Sequence, residues 1–148
     1  MNSKSLVVLG LHKDPWHNTC ASLIKDLGDG PKFAYVAEER LNREKDSRAF
    51  PLLAVKACMN ELCVDSFEQI DHVVIDYIEN SSSWRKDYLS NPCTTDTFLN
   101  EIAEDRINII NHHLLHAYVT YFSSGFEESA ILVVDGRGSD KETQSLYH

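Results

Sequence analysis

The chain has 148 residues, enough for one core that folds alone, and 43% hydrophobic with 25% charged residues is the balance of a soluble globular protein. Fourteen basic against 23 acidic residues give a net charge of -9, which argues against nucleic acid or an anionic membrane as partner, since both need a broad basic face. The apolar run Leu6 to Leu11, broken by His12-Lys13-Asp14, is too short for a signal peptide or a membrane span, so a cytoplasmic protein is expected.

Ser5 to Leu11 reads as a buried strand, Thr19 to Lys25 as a second, and Lys32 to Glu38, after the Gly28-Asp29-Gly30-Pro31 turn, as a third. Short turns make these three an antiparallel meander. The charged stretch Glu38 to Arg48 reads as a solvated connection to Phe50-Pro51, where Pro51 suits a first helical turn. Leu52, Val55, Met59 and Leu62 recur at helical spacing. Ile70 to Ile75, apolar on both faces, predicts a central strand. Asn80 to Thr95 reads as a long loop, Phe98 to Asp105 as a short helix, and Arg106 to Ile110 as a fifth strand.

Asn111 predicts a helix cap for His112 to Ser123, with Leu115, Val119 and Phe122 as the apolar stripe. Ala130 to Val134 is a sixth strand, and Thr143 to Tyr147 the returning arm of a hairpin. This order predicts an α/β ribonuclease-H-like lobe, a mixed sheet flanked by helices, over residues 1–125. The hairpin at 126–148 would open a second lobe. The cysteines at 20, 58, 63 and 93 show no CxxC spacing and read as reduced thiols.

His112 and His116 stand one helical turn apart and face the same side, a spacing at which two imidazoles can hold one metal ion. Asp135, closing a strand, can return beside them as a carboxylate. Two histidines and a carboxylate suit iron(II), zinc or manganese about equally. The motif lacks the glutamate of HExxH, so a zinc-protease reading loses its base. A solvated pair of histidines at a helix start has the same spacing. Asp135-Gly136-Arg137-Gly138 could let backbone amides approach a phosphate, although a hairpin turn has the same composition. Arg40, Arg43, Lys45 and Arg48 could grip a phosphate, yet Glu38, Glu39, Glu44 and Asp46 interleave them. His17, at a turn, could act as an acid or base, or lie idle at the surface.

Together these segments resemble the N-terminal part of the O-carbamoyltransferase family, which includes enzymes that carbamoylate aminoglycosides, cephalosporins and nodulation factors. His17-Asn18-Thr19-Cys20-Ala21-Ser22-Leu23 is similar to its HDSAASL-like segment, and Glu38-Glu39-Arg40-Leu41-Asn42-Arg43 with Lys45 to its EERxxRxK. Phe50-Pro51 with Ala54-Val55 resembles FPxxAV; His112-His113 with His116-Ala117-Tyr118 resembles HHxxHAY; Asp135 to Gly138 resembles DGRG. Asn18 stands where the family commonly has aspartate. The resemblance implies the fold of the ATPase lobes of actin, sugar kinases and Kae1-type proteins, with His112, His116 and Asp135 as ligands of iron(II) in a cleft between lobes. It implies carbamoyl-adenylate, made from ATP and carbamoyl phosphate in a separate domain, as donor to a small-molecule hydroxyl. His17 would then act on that hydroxyl, Arg43 and Lys45 would face the adenylate or carbamoyl group, and Asp135, Gly136, Arg137 and Gly138 the nucleotide phosphates. A further aspartate, the second lobe and the adenylate-forming domain would lie beyond residue 148, so the chain alone is expected to be inactive and to need that lobe or an oligomer partner. Two other readings stay open: an interaction module that kept the lobe without the chemistry, and a nucleotide-binding ATPase without carbamoyl transfer.

Overall fold

The structure, a computed structural model, describes residues 5–13, 18–76, 99 and 102–148. The expected loop from Asn80 to Thr95 and the start of the helix expected at Phe98 lie outside them. Among the described residues, seven strands form two sheets. The larger comprises β1 (Leu6–His12), β2 (Cys20–Asp26), β3 (Pro31–Ala37), β4 (His72–Asp76) and β5 (Ile107–Ile110), in the order β3-β2-β1-β4-β5. The β1–β2 and β2–β3 pairs are antiparallel, whereas β1–β4 and β4–β5 are parallel, giving the mixed sheet expected of the fold class. The smaller sheet is the antiparallel hairpin of β6 (Ile131–Val134) and β7 (Gln144–Tyr147).

Alternation sets the larger sheet's faces. Val7, Leu9 and Leu11 on β1 point into the core with Ala21 and Leu23 on β2 and Val73 and Ile75 on β4. Helix α2 (Leu52–Glu61) covers this face with Ala54, Val55, Cys58 and Met59. Leu52 and Leu62, expected on the helix stripe, are only half-buried. Lys25 stops α2 at its far end: its Nζ donates to the carbonyls of Leu62 and Cys63, each at 2.9 Å. On edge strand β3, Phe33 and Tyr35 point away from the core and are exposed.

Two expectations fail here. The stretch from Glu38 is not simply a solvated connection: Glu39–Asn42 forms a one-turn helix, α1, and Glu38 is 3% exposed. Its carboxylate accepts from the N–H of Leu53 and of Ala54, so it closes the otherwise orphaned amides at the start of α2. The second failure concerns α3 (His112–Ser124), which Asn111 caps as expected by accepting from Leu114 N–H at 3.0 Å. Its buried residues are His113 and Ala117, whereas Val119 and Phe122 are exposed. The helix packs on the β6–β7 hairpin, where the small Ala117 allows close approach and Ser145 Oγ meets His113 Nδ1 at 2.8 Å. A polar residue with a partner thus took the inner face.

Candidate metal centre

Register places the chemistry. His12 aligns with Cys20 on β2 and with Asp76 on β4, and Asp76 aligns with Ile110 on β5. His12, Asp76 and the start of α3 therefore share the carboxyl ends of the parallel strands, where crevices open in α/β sheets. Helix α3 carries His112 and His116 on one side, and β6 delivers Asp135 from the hairpin.

The loop after β6 is tied to the first turn of α3. Ser139 Oγ accepts from His112 N–H at 2.9 Å, and Asn111 Nδ2 donates to Glu142 Oε1 at 3.0 Å. These bonds bring three donor atoms together. His112 Nε2 lies 2.9 Å from Asp135 Oδ2, His116 Nε2 lies 3.1 Å from His112 Nε2, and His116 Nε2 lies 3.5 Å from Asp135 Oδ2. Donors bound to one cation at about 2.0–2.2 Å sit roughly 3.0–3.5 Å apart, so the three fit one small divalent ion.

Behind the triad stands a group that motif reading missed. Asp76 meets His112 Nδ1 with both oxygens, at 3.0 and 3.2 Å, and His12 Nδ1 at 2.8 Å. Burial pushes the Asp76 carboxyl up, but the hydrogen bonds and charge of His112 and His12 outweigh it and hold it at about 2. The Asp76 hydrogen bond raises the His112 imidazole, against the opposing effect of burial. Asp135 is lowered, chiefly by accepting from Gly136 N–H, with His112 and His116 adding to it. The one sequence signal for Asp76 is a carboxylate directly after the apolar Val73-Val74-Ile75 of β4.

The remaining site expectations fare differently. His17 lies outside the described residues. Arg43 and Lys45 are exposed. In the Asp135–Gly138 turn, Gly136 N–H donates to the Asp135 side chain and Gly138 N–H to Glu142 O at 2.7 Å, so both amides are already engaged. Arg137 is exposed. Beside the sheet end, Asn18, Cys20, Tyr35, Glu39 and Arg40 line a cavity of about 380 Å³. A larger groove of about 850 Å³ lies between α3 and the hairpin; Tyr118, Tyr121, Phe122 and Ile131 make it mainly apolar, and it does not contain the triad. No helix among the described residues is long and apolar enough to cross a membrane.

No family model matches the chain. Nodulation protein NolNO of Sinorhizobium fredii is 28% identical over 137 residues, covering 82% of this chain and 20% of that protein. An uncharacterized protein of Synechocystis, sll1178, is 26% identical over 162 residues, covering 89% of this chain and 26% of its own length. The chain thus spans about a fifth to a quarter of these curated relatives. Among solved structures, YeaZ from Pseudomonas aeruginosa superposes with a TM-score of 0.50 at 14% identity, over 88% of this chain and 55% of that one, which establishes the ribonuclease-H-like fold. The chain is a homologue of nodulation protein NolNO over most of its length, the relationship that the O-carbamoyltransferase resemblance anticipates.

Proposed function

We propose that this chain is the metal-binding part of an O-carbamoyltransferase, and that His112, His116 and Asp135 hold a divalent ion, iron(II) by family resemblance. The observation that carries the reading is the convergence of those three donors at the carboxyl ends of the parallel strands. Homology to a nodulation protein supports it. The reaction is attack of a substrate hydroxyl on the carbonyl carbon of carbamoyl-adenylate, which forms an O-carbamate and releases AMP. The ion would supply positive charge that polarises the carbonyl. Of this chain's residues, His17 is assigned the hydroxyl proton, and Arg43 and Lys45 the adenylate or carbamoyl group. With the Gly136 and Gly138 amides engaged, the exposed Arg137 guanidinium is assigned the phosphate contact of this turn. In this reading the β6–β7 hairpin opens a second lobe, and ATP and carbamoyl phosphate are consumed elsewhere in the longer protein.

The test has two parts. Equilibrium dialysis of the purified chain against zinc or anaerobic iron(II) should give one ion per chain, lost in the His112→Ala, His116→Ala double variant. The protein as it occurs in its source cell should move label from carbamoyl phosphate onto a hydroxyl acceptor only with ATP present. Metal retained by the double variant, or ATP turnover indifferent to carbamoyl phosphate, would count against the assignment.

A second reading, a non-catalytic interaction module, draws on the exposed Val119, Phe122, Phe126, Leu132, Val134 and Leu146. It requires a stable complex, and a monomer in sedimentation that binds no apolar dye would refute it.

A further inference from the structure

We propose that Asp76 is the positioning residue of the triad, fixing His112 with its proton on Nδ1 and its Nε2 lone pair aimed at the ion; this rests on the metal reading above. With an ion bound, the contacts define the pattern. Both Asp76 oxygens lie within hydrogen-bond reach of His112 Nδ1, and an ionised carboxylate only accepts. Nδ1 therefore carries a hydrogen. The opposite ring nitrogen, Nε2, faces Asp135 and His116; with no ion its contact to the Asp135 carboxylate also needs a hydrogen, and a bound ion would take that hydrogen's place. A carboxylate behind a metal-bound histidine both fixes the tautomer and raises the basicity of the coordinating nitrogen.

Three features make Asp76 more than an incidental ion-pair partner. It is 7% exposed, so its charge has little water to lean on. It ends β4, which is paired on both sides, by β1 and β5, so its backbone has little freedom to follow a misplaced ring. His12 Nδ1 reaches Asp76 Oδ2 from β1 at 2.8 Å, so that oxygen is held from two sides. The relay His12–Asp76–His112 thus ties the triad to the rigid sheet, while Asp135 comes from the hairpin.

Zinc affinity of the whole chain, with ring-nitrogen spectra of its ¹⁵N-labelled histidines, tests the proposal. Wild type should bind zinc through His112 Nε2 with Nδ1 protonated. Asp76→Ala should weaken binding about 10–100-fold and let Nδ1 compete for the ion, whereas Asp76→Asn, which still accepts through one oxygen, should keep the tautomer with a smaller loss. His12→Gln should cost less than either. Circular dichroism checks folding, and if Asp76→Ala fails to fold, Asp76→Asn carries the test. A folded Asp76→Ala with wild-type affinity and tautomer, or an Asp76→Asn indistinguishable from wild type in affinity, overturns this inference alone. A wild-type chain that holds no zinc overturns the metal reading and this inference with it.

Discussion

Glu38→Ala should cost the fold about 3 kcal/mol, although Glu38 lies in a run of charges that looks solvated. Its carboxylate is buried and accepts two amide hydrogens, from Ala54 at 2.8 Å and Leu53 at 3.3 Å. The shorter, charge-assisted bond is worth roughly 1.5–3 kcal/mol, and the longer one, on a partly exposed residue that water can reach, about 1 kcal/mol or less. Glu38→Gln retains one good acceptor of the same shape, so its cost should be about 1 kcal/mol. Urea unfolding followed by circular dichroism gives both values from midpoint shifts at a constant slope. A Glu38→Ala loss under about 1 kcal/mol would refute the capping role, as would equal losses in the two variants.

The metal-free chain should be most stable between about pH 4 and 6.5. Asp76 is lowered from 3.8 to about 2, so its contribution, on the order of 2 kcal/mol, is present above pH 4 and lost as pH falls through the folded value. His112 is raised from 6.5, so its contribution is present below that value and lost as pH rises through the folded one; the two describe largely one contact and do not add. Urea midpoints that stay flat from pH 5 to 9 would contradict the His112 limb. Leu9→Ala, at a fully buried position, should cost about 3 kcal/mol, while Phe33→Ala on the exposed edge should stay within about 0.5 kcal/mol. Among the described cysteines, Cys63 is exposed, whereas burial raises the Cys20 and Cys58 thiols, so an alkylating reagent followed by peptide mass mapping should modify Cys63 first.

Local signals carried much of this structure. The three opening strands, Pro51 at the head of α2 and the Asn111 cap all fall within a residue or two of their expected places, because period and capping are properties of neighbouring residues. The triad was legible for the same reason: a one-turn histidine pair and a carboxylate ending a strand. Asp76 and His12 were not, since 64 residues separate them and only the parallel register of β1 with β4 makes them partners. Hydropathy ranks Val119 above His113 and so points to the wrong side of α3. Which side is covered depends on the hairpin's Ser145, which no periodicity within the helix encodes. Glu38 was hidden by its charged neighbours, since composition does not say which carboxylate of a run turns inward.

The donor triad and the carboxylate behind it span two sheets that no strand pairing joins: Asp76 belongs to the larger one and Asp135 to the hairpin, with α3 between them. Coordination shells tolerate errors of only about 0.2 Å, far less than a hairpin can swing on its connecting loops. With an ion held as proposed, the triad would be a gauge of how the two sheets are posed. A disturbance anywhere along α3 or the Asp135–Thr143 loop should register there as lost affinity, even when every ligand is intact.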